Sequence, residues 1–334
     1  RQPRGTDPLK MLARVFRSNQ PGVLVLLLVL VPALFLPNWW AAAPDLGQGM
    51  PLMRWLAGSF KAAGWTYCLA VMLWVAVMAV QVAFLLNETE LVDRRNHLSG
   101  LLVPLALALS VPAGGAGAAF FGLPLVIWSM HRTWSISTGH KALGALFDAG
   151  LLLGAAAQFY MPYAFLLVVV WASVSVIRPF QWREYIVPFV GVVLVFYLAW
   201  GVQRLADIPD QAPLRTIIRS SMGFTGAPAH FGWIVSLVLV PLLVVASLRF
   251  AEHYGRGVVR EQNIRSAFIA FGLTMALLGV LVQLIGGRFP VVLVAVPLAV
   301  LTTFALIGTR RAWLGELAVA CLLLFAIWLQ YGGA

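Results

Sequence analysis

The sequence predicts an all-α, polytopic transmembrane helix bundle of about 11 spans, or 9 if residues 98–130 form a re-entrant pair. Three observations carry that prediction. The first is composition. Of 334 residues, 61% are hydrophobic and 10% charged, with a mean hydropathy of +0.89. A soluble domain carries about 25% charged residues, so that class is excluded. The second is the recurrence of apolar runs near the roughly 20 residues that a membrane helix needs. The third is the placing of arginine and lysine in alternate loops, the mark of a chain threaded back and forth through a bilayer. Residues 1–22 read as a basic cytoplasmic N-terminal segment and 23–334 as a single transmembrane domain.

The plan is clearest between residues 141 and 191. Two apolar runs, 142–159 and 164–177, are hinged at Tyr160-Met161-Pro162-Tyr163, with Lys141 before them and Arg178 and Arg183 after them. They predict a hairpin of two helices with both basic ends on one side. The other elements follow the same logic in chain order. A first helix is expected over 23–36, then a Pro/Gly-punctuated loop to about residue 63, in which Trp39, Trp40, Trp55 and Trp65 are placed as interfacial anchors. A second helix is expected over 65–86. Residues 98–130 offer two runs of about 15 residues around Pro112–Gly117, short for full spans, and read as two tilted helices or a re-entrant pair. Either option returns the chain to the side it left. Beyond the central hairpin, helices are expected over 185–202, 231–248, 268–285 and 291–307, and a last one ends at Trp328–Tyr331.

With Met11 inside, 17 of the 23 basic residues fall in the cytoplasm. The six left outside are Arg54, Lys61, Arg204, Arg215, Arg219 and Arg288. The count predicts a cytoplasmic N-terminus and, with eleven spans, an external C-terminus. Met11 opens MLARVFRSNQPG as a natural start would, and residues 1–10 then read as an upstream extension. No A-x-A-like cleavage site directly follows the first apolar run, so it is expected to be retained as a helix. The net charge of +11 is assigned to loops meeting anionic phospholipid head groups, not to nucleic acid. Cys68 and Cys321 both lie in apolar runs and read as buried thiols.

The combination FDAG…FYMPY…RPFQWREYIVPFVG, with the MLARVFRSNQPG opening, resembles an uncharacterised family of bacterial multi-pass inner-membrane proteins of about 300 residues. The resemblance runs from Met11 to the end, with Phe147–Gly191 its distinctive part. It implies a bacterial inner-membrane location and supplies no catalytic residues.

Candidate functional residues fall in three groups. Asp148 and Glu316 are the acids inside expected helices. Each reads either as a relay facing a cavity or as a shallow acid neutralised by neighbouring basic side chains. On the helix of Asp148, the small residues Gly150, Gly154 and Ala157 form a separate packing seam. The external loop of residues 203–230 holds Arg215 and Arg219 at i, i+4 behind Pro213, with Arg204, Asp207, Asp210 and His230 around them. Two aligned guanidinium groups suit a lipid phosphate, with the acids or His230 as external acid or base. The alternative is a set of local ion pairs on an interfacial helix. His97, His131, His140 and His253 lack i, i+3 or i, i+4 spacing, so no metal site is expected. No Walker motif, G-x-G-x-x-G after a strand, G-x-S-x-G or H-E-x-x-H occurs, and no cofactor is expected. The partners implied are the lipid bilayer, its anionic phospholipids, and a lipid-linked substrate or a membrane protein. Function is expected in a non-enzymatic transporter-like or assembly and scaffold component. The alternative is an enzyme acting on a polyprenyl-phosphate-linked or other anionic lipid at the external face.

Overall fold

The computed structural model describes residues 16, 21–41, 50–62, 64–89, 91–92, 96–136, 142–206, 229–254, 259–286, 289–307 and 312–332. Among the described residues there are twelve α-helices and no strand. In chain order they are α1 (Leu27–Phe35), α2 (Pro51–Ala62), α3 (Gly64–Glu88), α4 (Leu98–Ser110), α5 (Ala118–Trp134) and α6 (Ala142–Ala157). After a 3-10 turn, Met161–Leu166, come α7 (Leu167–Ile177), α8 (Trp182–Leu205), α9 (Ala229–Tyr254), α10 (Val259–Gly286), α11 (Val292–Ile307) and α12 (Ala312–Gly332). Among the described residues, five segments are long and apolar enough to cross a membrane: Gly22–Trp39, Trp65–Glu88, Trp182–Leu205, Val259–Ile285 and Trp313–Gly332. These helices suit the chain to membrane insertion, where a helix satisfies its own backbone polar groups without water.

The bundle is organised around α4. All thirteen of its residues are buried, and it packs against α1, α3, α11 and α12. No face of this helix is left for solvent or lipid, which fits a sequence that is apolar apart from Ser99 and Ser110 and carries no charge. Pro104 lies inside it, and Pro124, Pro188 and Pro297 lie inside α5, α8 and α11. Interior prolines are tolerated where neighbouring helices and polar side chains support the freed carbonyl. The ambiguous stretch 98–130 therefore forms two separate short helices. Thirteen residues rise about 20 Å, less than the roughly 30 Å of a hydrocarbon core. The pair returns the chain to the end of the bundle from which α4 set out, as both readings of the sequence required.

The hairpin is present as α6, the Met161–Leu166 turn and α7. Its seam of small residues packs against α8. A Cβ added at Gly154 would lie 2.8 Å from Val195 Cβ, and one at Gly191 would lie 2.9 Å from Phe147 O. Gly150 meets the Pro188 carbonyl still more closely. Small residues here let two backbones approach, the usual device of helices that associate in a membrane. The core continues through Trp134, whose indole donates to Ser173 Oγ at 3.1 Å and sits edge-on to Phe268 and Phe271.

Several expectations change. The helix expected from residue 268 begins at Val259 and so takes in Glu261 and Arg265. The connection expected to run as loop to residue 63 contains α2, whose Pro51 supplies a preset first-turn φ. The helix expected from residue 185 begins at Trp182 and so takes in Glu184. Cys68 is buried, but Cys321 is exposed on the outer face of α12.

Candidate functional site

The ends of α3, α5, α7 and α9 meet the starts of α4, α6, α8 and α10 at one end of the bundle, and the ion pairs of the described residues gather there. His131 Nε2 lies 2.6 Å from Glu88 Oε2, joining α5 to α3. Arg132 Nη2 donates to Asp148 Oδ2, joining α5 to α6. Arg178 Nε stands 3.1 Å from Glu184 Oε1, closing the Arg178-Pro179-Phe180-Gln181 link between α7 and α8. Arg265, buried in the first turns of α10, reaches the carbonyl of Leu91 at 3.5 Å and Glu261 at 3.7 Å. Arg249 and Glu252 form a surface pair at 3.1 Å near the end of α9.

These pairs differ in burial. The side chains of Arg132 and Asp148 are 40% and 45% exposed, whereas those of Arg178 and Glu184 are 10% and 2% exposed. Asp148 thus faces a basic partner at a half-open position. Glu184 carries the more demanding charge: a carboxylate almost wholly out of water, whose Oε2 has no hydrogen-bond partner among the described residues. Gln181 stands at the N-cap position of α8, so Glu184 lies in the first helical turn, where the helix dipole favours a negative side chain. His97, just before α4, has a buried Nδ1, and burial lowers its imidazole below the ordinary value.

The opposite end is held by neutral groups. The segment between α4 and α5 is irregular backbone at the end of a fully buried helix, and Gly114 turns it with φ 72°. Side chains from three other elements grip it. Asn38 Oδ1 accepts from Gly114 N at 2.9 Å, and Tyr67 Oη accepts from Ala116 N at 2.9 Å. Gln330 Nε2 donates to Ala108 O at 2.7 Å and to Val111 O at 2.6 Å. Nearby, Tyr163 Oη donates to Ala119 O at 2.6 Å.

The residues singled out in the sequence are placed as follows. Glu316 is half-buried on α12 and makes no ion pair or hydrogen bond among the described residues. Arg204 ends α8 with its guanidinium 6.0 Å from the Trp200 ring centre. Asp207, Asp210, Arg215 and Arg219 lie outside the described residues, and His230 falls in α9 with its side chain outside them. His97 and His131 are at the charged end, and among the described residues no group of three His, Cys, Asp or Glu side chains could hold a metal. Glu184 and Arg265 were missed. The signal for Glu184 was its distance of six residues from Arg178 across a proline, with Gln181 able to begin a helix.

No family model, curated protein or solved structure matches the chain. The class that the fold and the ion-paired end define is that of an all-helical protein with several apolar helices fit for a membrane.

Proposed function

We propose that the chain is a multi-pass component of a bacterial inner membrane, with about eleven spans, a cytoplasmic N-terminus and an external C-terminus. In this reading it acts without chemistry of its own, as a transporter-like or assembly and scaffold subunit. The observation that carries the membrane part is α8. Trp182 and Trp200 are both exposed and lie eighteen residues apart, about 27 Å along a helix. Between them Ile186, Phe189, Val190, Val193 and Leu198 are exposed, and only 17% of the span is buried. An apolar face of nearly bilayer length, bounded by indoles, is what a lipid-facing helix carries. The scaffold reading draws on the neutral end, where the side chains of Asn38, Tyr67 and Gln330 hold backbone between and at the ends of helices.

The alternative, an enzyme handling a lipid-linked phosphate, rests on Arg215 and Arg219. Purified protein tested for retained anionic lipid across a salt series separates the two. The proposal expects equal retention in wild type and in the Arg215→Ala/Arg219→Ala double variant. Lipid lost from the double variant, and from Lys at either position, would move the reading to a phosphate clamp, because Lys keeps the charge and loses the bidentate fork.

A further inference from the structure

The turn that joins α6 to the 3-10 segment Met161–Leu166 holds two buried polar side chains with no hydrogen-bond partner among the described residues. Gln158 is 2% exposed, and neither its Nε2 nor its Oε1 has a partner among the described residues. Tyr160 is 1% exposed, and its hydroxyl also lacks one. Several backbone N–H groups here are bonded. Gln158 N donates to Gly154 O at 3.2 Å, Tyr160 N to Ala156 O at 3.0 Å, and Tyr163 N to Tyr160 O at 3.0 Å. The neighbouring phenol is satisfied too, since Tyr163 donates to Ala119 O. Buried polar atoms in folded proteins are almost always hydrogen-bonded, and an orphan carries its full desolvation penalty. Three such atoms within three residues, none with a partner among the described residues, call for a polar neighbour. Residues 154–166 contain no charged side chain, so the site offers donors and acceptors to a neutral occupant.

We propose that this turn is a hydration site, in which resident water is hydrogen-bonded by the Gln158 amide and the Tyr160 hydroxyl. Water is the smallest neutral species that both donates and accepts, and buried waters typically bridge two to four such groups. The site would let a kinked, Pro162-containing joint sit inside the bundle with every polar atom satisfied.

Radiolytic hydroxyl-radical labelling of the purified protein, read residue by residue by mass spectrometry, tests it. A resident water generates the radical in place, so Tyr160, and the Tyr163 ring 5.1 Å from it, are expected to be modified several-fold more than Tyr67, a buried phenol bonded to Ala116 in the segment between α4 and α5. Gln158→Leu should bring Tyr160 down to the Tyr67 level and lower the apparent Tm. Equal labelling of Tyr160 and Tyr67 in the wild type would overturn the proposal. So would a raised Tm in Gln158→Leu, because an unoccupied amide is better replaced by hydrocarbon. If Gln158→Leu does not fold, the wild-type ratio decides, with Tyr160→Phe expected to lower the Tm by removing one bond to the water.

Discussion

The two ends of the bundle solve one problem in opposite ways. Both must tie together helices that arrive from different parts of the chain, and both contain backbone that leaves the helical hydrogen-bonding pattern. At one end the ties are ion pairs, Asp148 with Arg132, Glu184 with Arg178, and Arg265 with Glu261 and the Leu91 carbonyl, beside the Glu88–His131 hydrogen bond. At the other they are neutral: Asn38, Tyr67, Tyr163 and Gln330, each bonded to main chain. A neutral amide or phenol that bonds a carbonyl or N–H needs no counter-charge, so it tolerates burial on its own. A guanidinium or carboxylate tolerates it only with its partner in place. The charged end is accordingly the more fragile of the two against single substitutions and the more sensitive to salt where it is exposed.

The contrast can be broken first at Glu184. Glu184→Leu removes the carboxylate that the mostly buried Arg178 guanidinium faces and is expected to destabilise by about 3–5 kcal/mol. In a thermal series followed by gel filtration in detergent, little folded protein should remain. Arg178→Met combined with Glu184→Leu should recover most of the loss, since a buried pair can be exchanged for apolar side chains at small cost. No recovery in the double variant would mean that the pair itself specifies the fold here. Gln330→Leu tests the neutral end. It strips two carbonyls of their donor and is expected to cost about 1–3 kcal/mol, with no dependence on salt. A loss as large as that of Glu184→Leu would erase the distinction between the ends. Asp148→Asn should be smallest. The Arg132–Asp148 pair is half-exposed, so about 0–1 kcal/mol is expected, fading as salt is raised. A large, salt-independent effect would show Asp148 acting from a position shielded from water.

Much of this was legible in the sequence. The hairpin around Tyr160–Tyr163, the small-residue seam on α6 and the run boundaries of α3 and α11 follow from apolar periodicity and proline placement, which are local signals. The burial of α4 was not legible. Residues 98–110 read only as a run too short for a span, and what makes the helix central is its contact with α1, α3, α11 and α12. Glu184 escaped for a different reason. Moving the start of α8 by three residues turned a loop acid into a first-turn acid, and its pairing with Arg178 depends on how Pro179 bends the link. Asp148 drew attention as an acid in an apolar run, yet its partner Arg132 belongs to another helix. The neutral clamps on residues 111–117 come from positions as far apart as Asn38 and Gln330, a separation that no local pattern encodes.

We propose that the two ends lie on opposite sides of a membrane, with the charged end in the cytoplasm. It is tested most directly with single cysteines in a background carrying Cys68→Ala and Cys321→Ala. In intact cells, an impermeant thiol reagent should leave Ser137→Cys and Gln262→Cys unlabelled until the membrane is opened, and should label Ser220→Cys at once. Labelling at 137 and 262 with protection at 220 would invert the orientation. Labelling of all three in intact cells would contradict a bundle that separates its two ends by a bilayer.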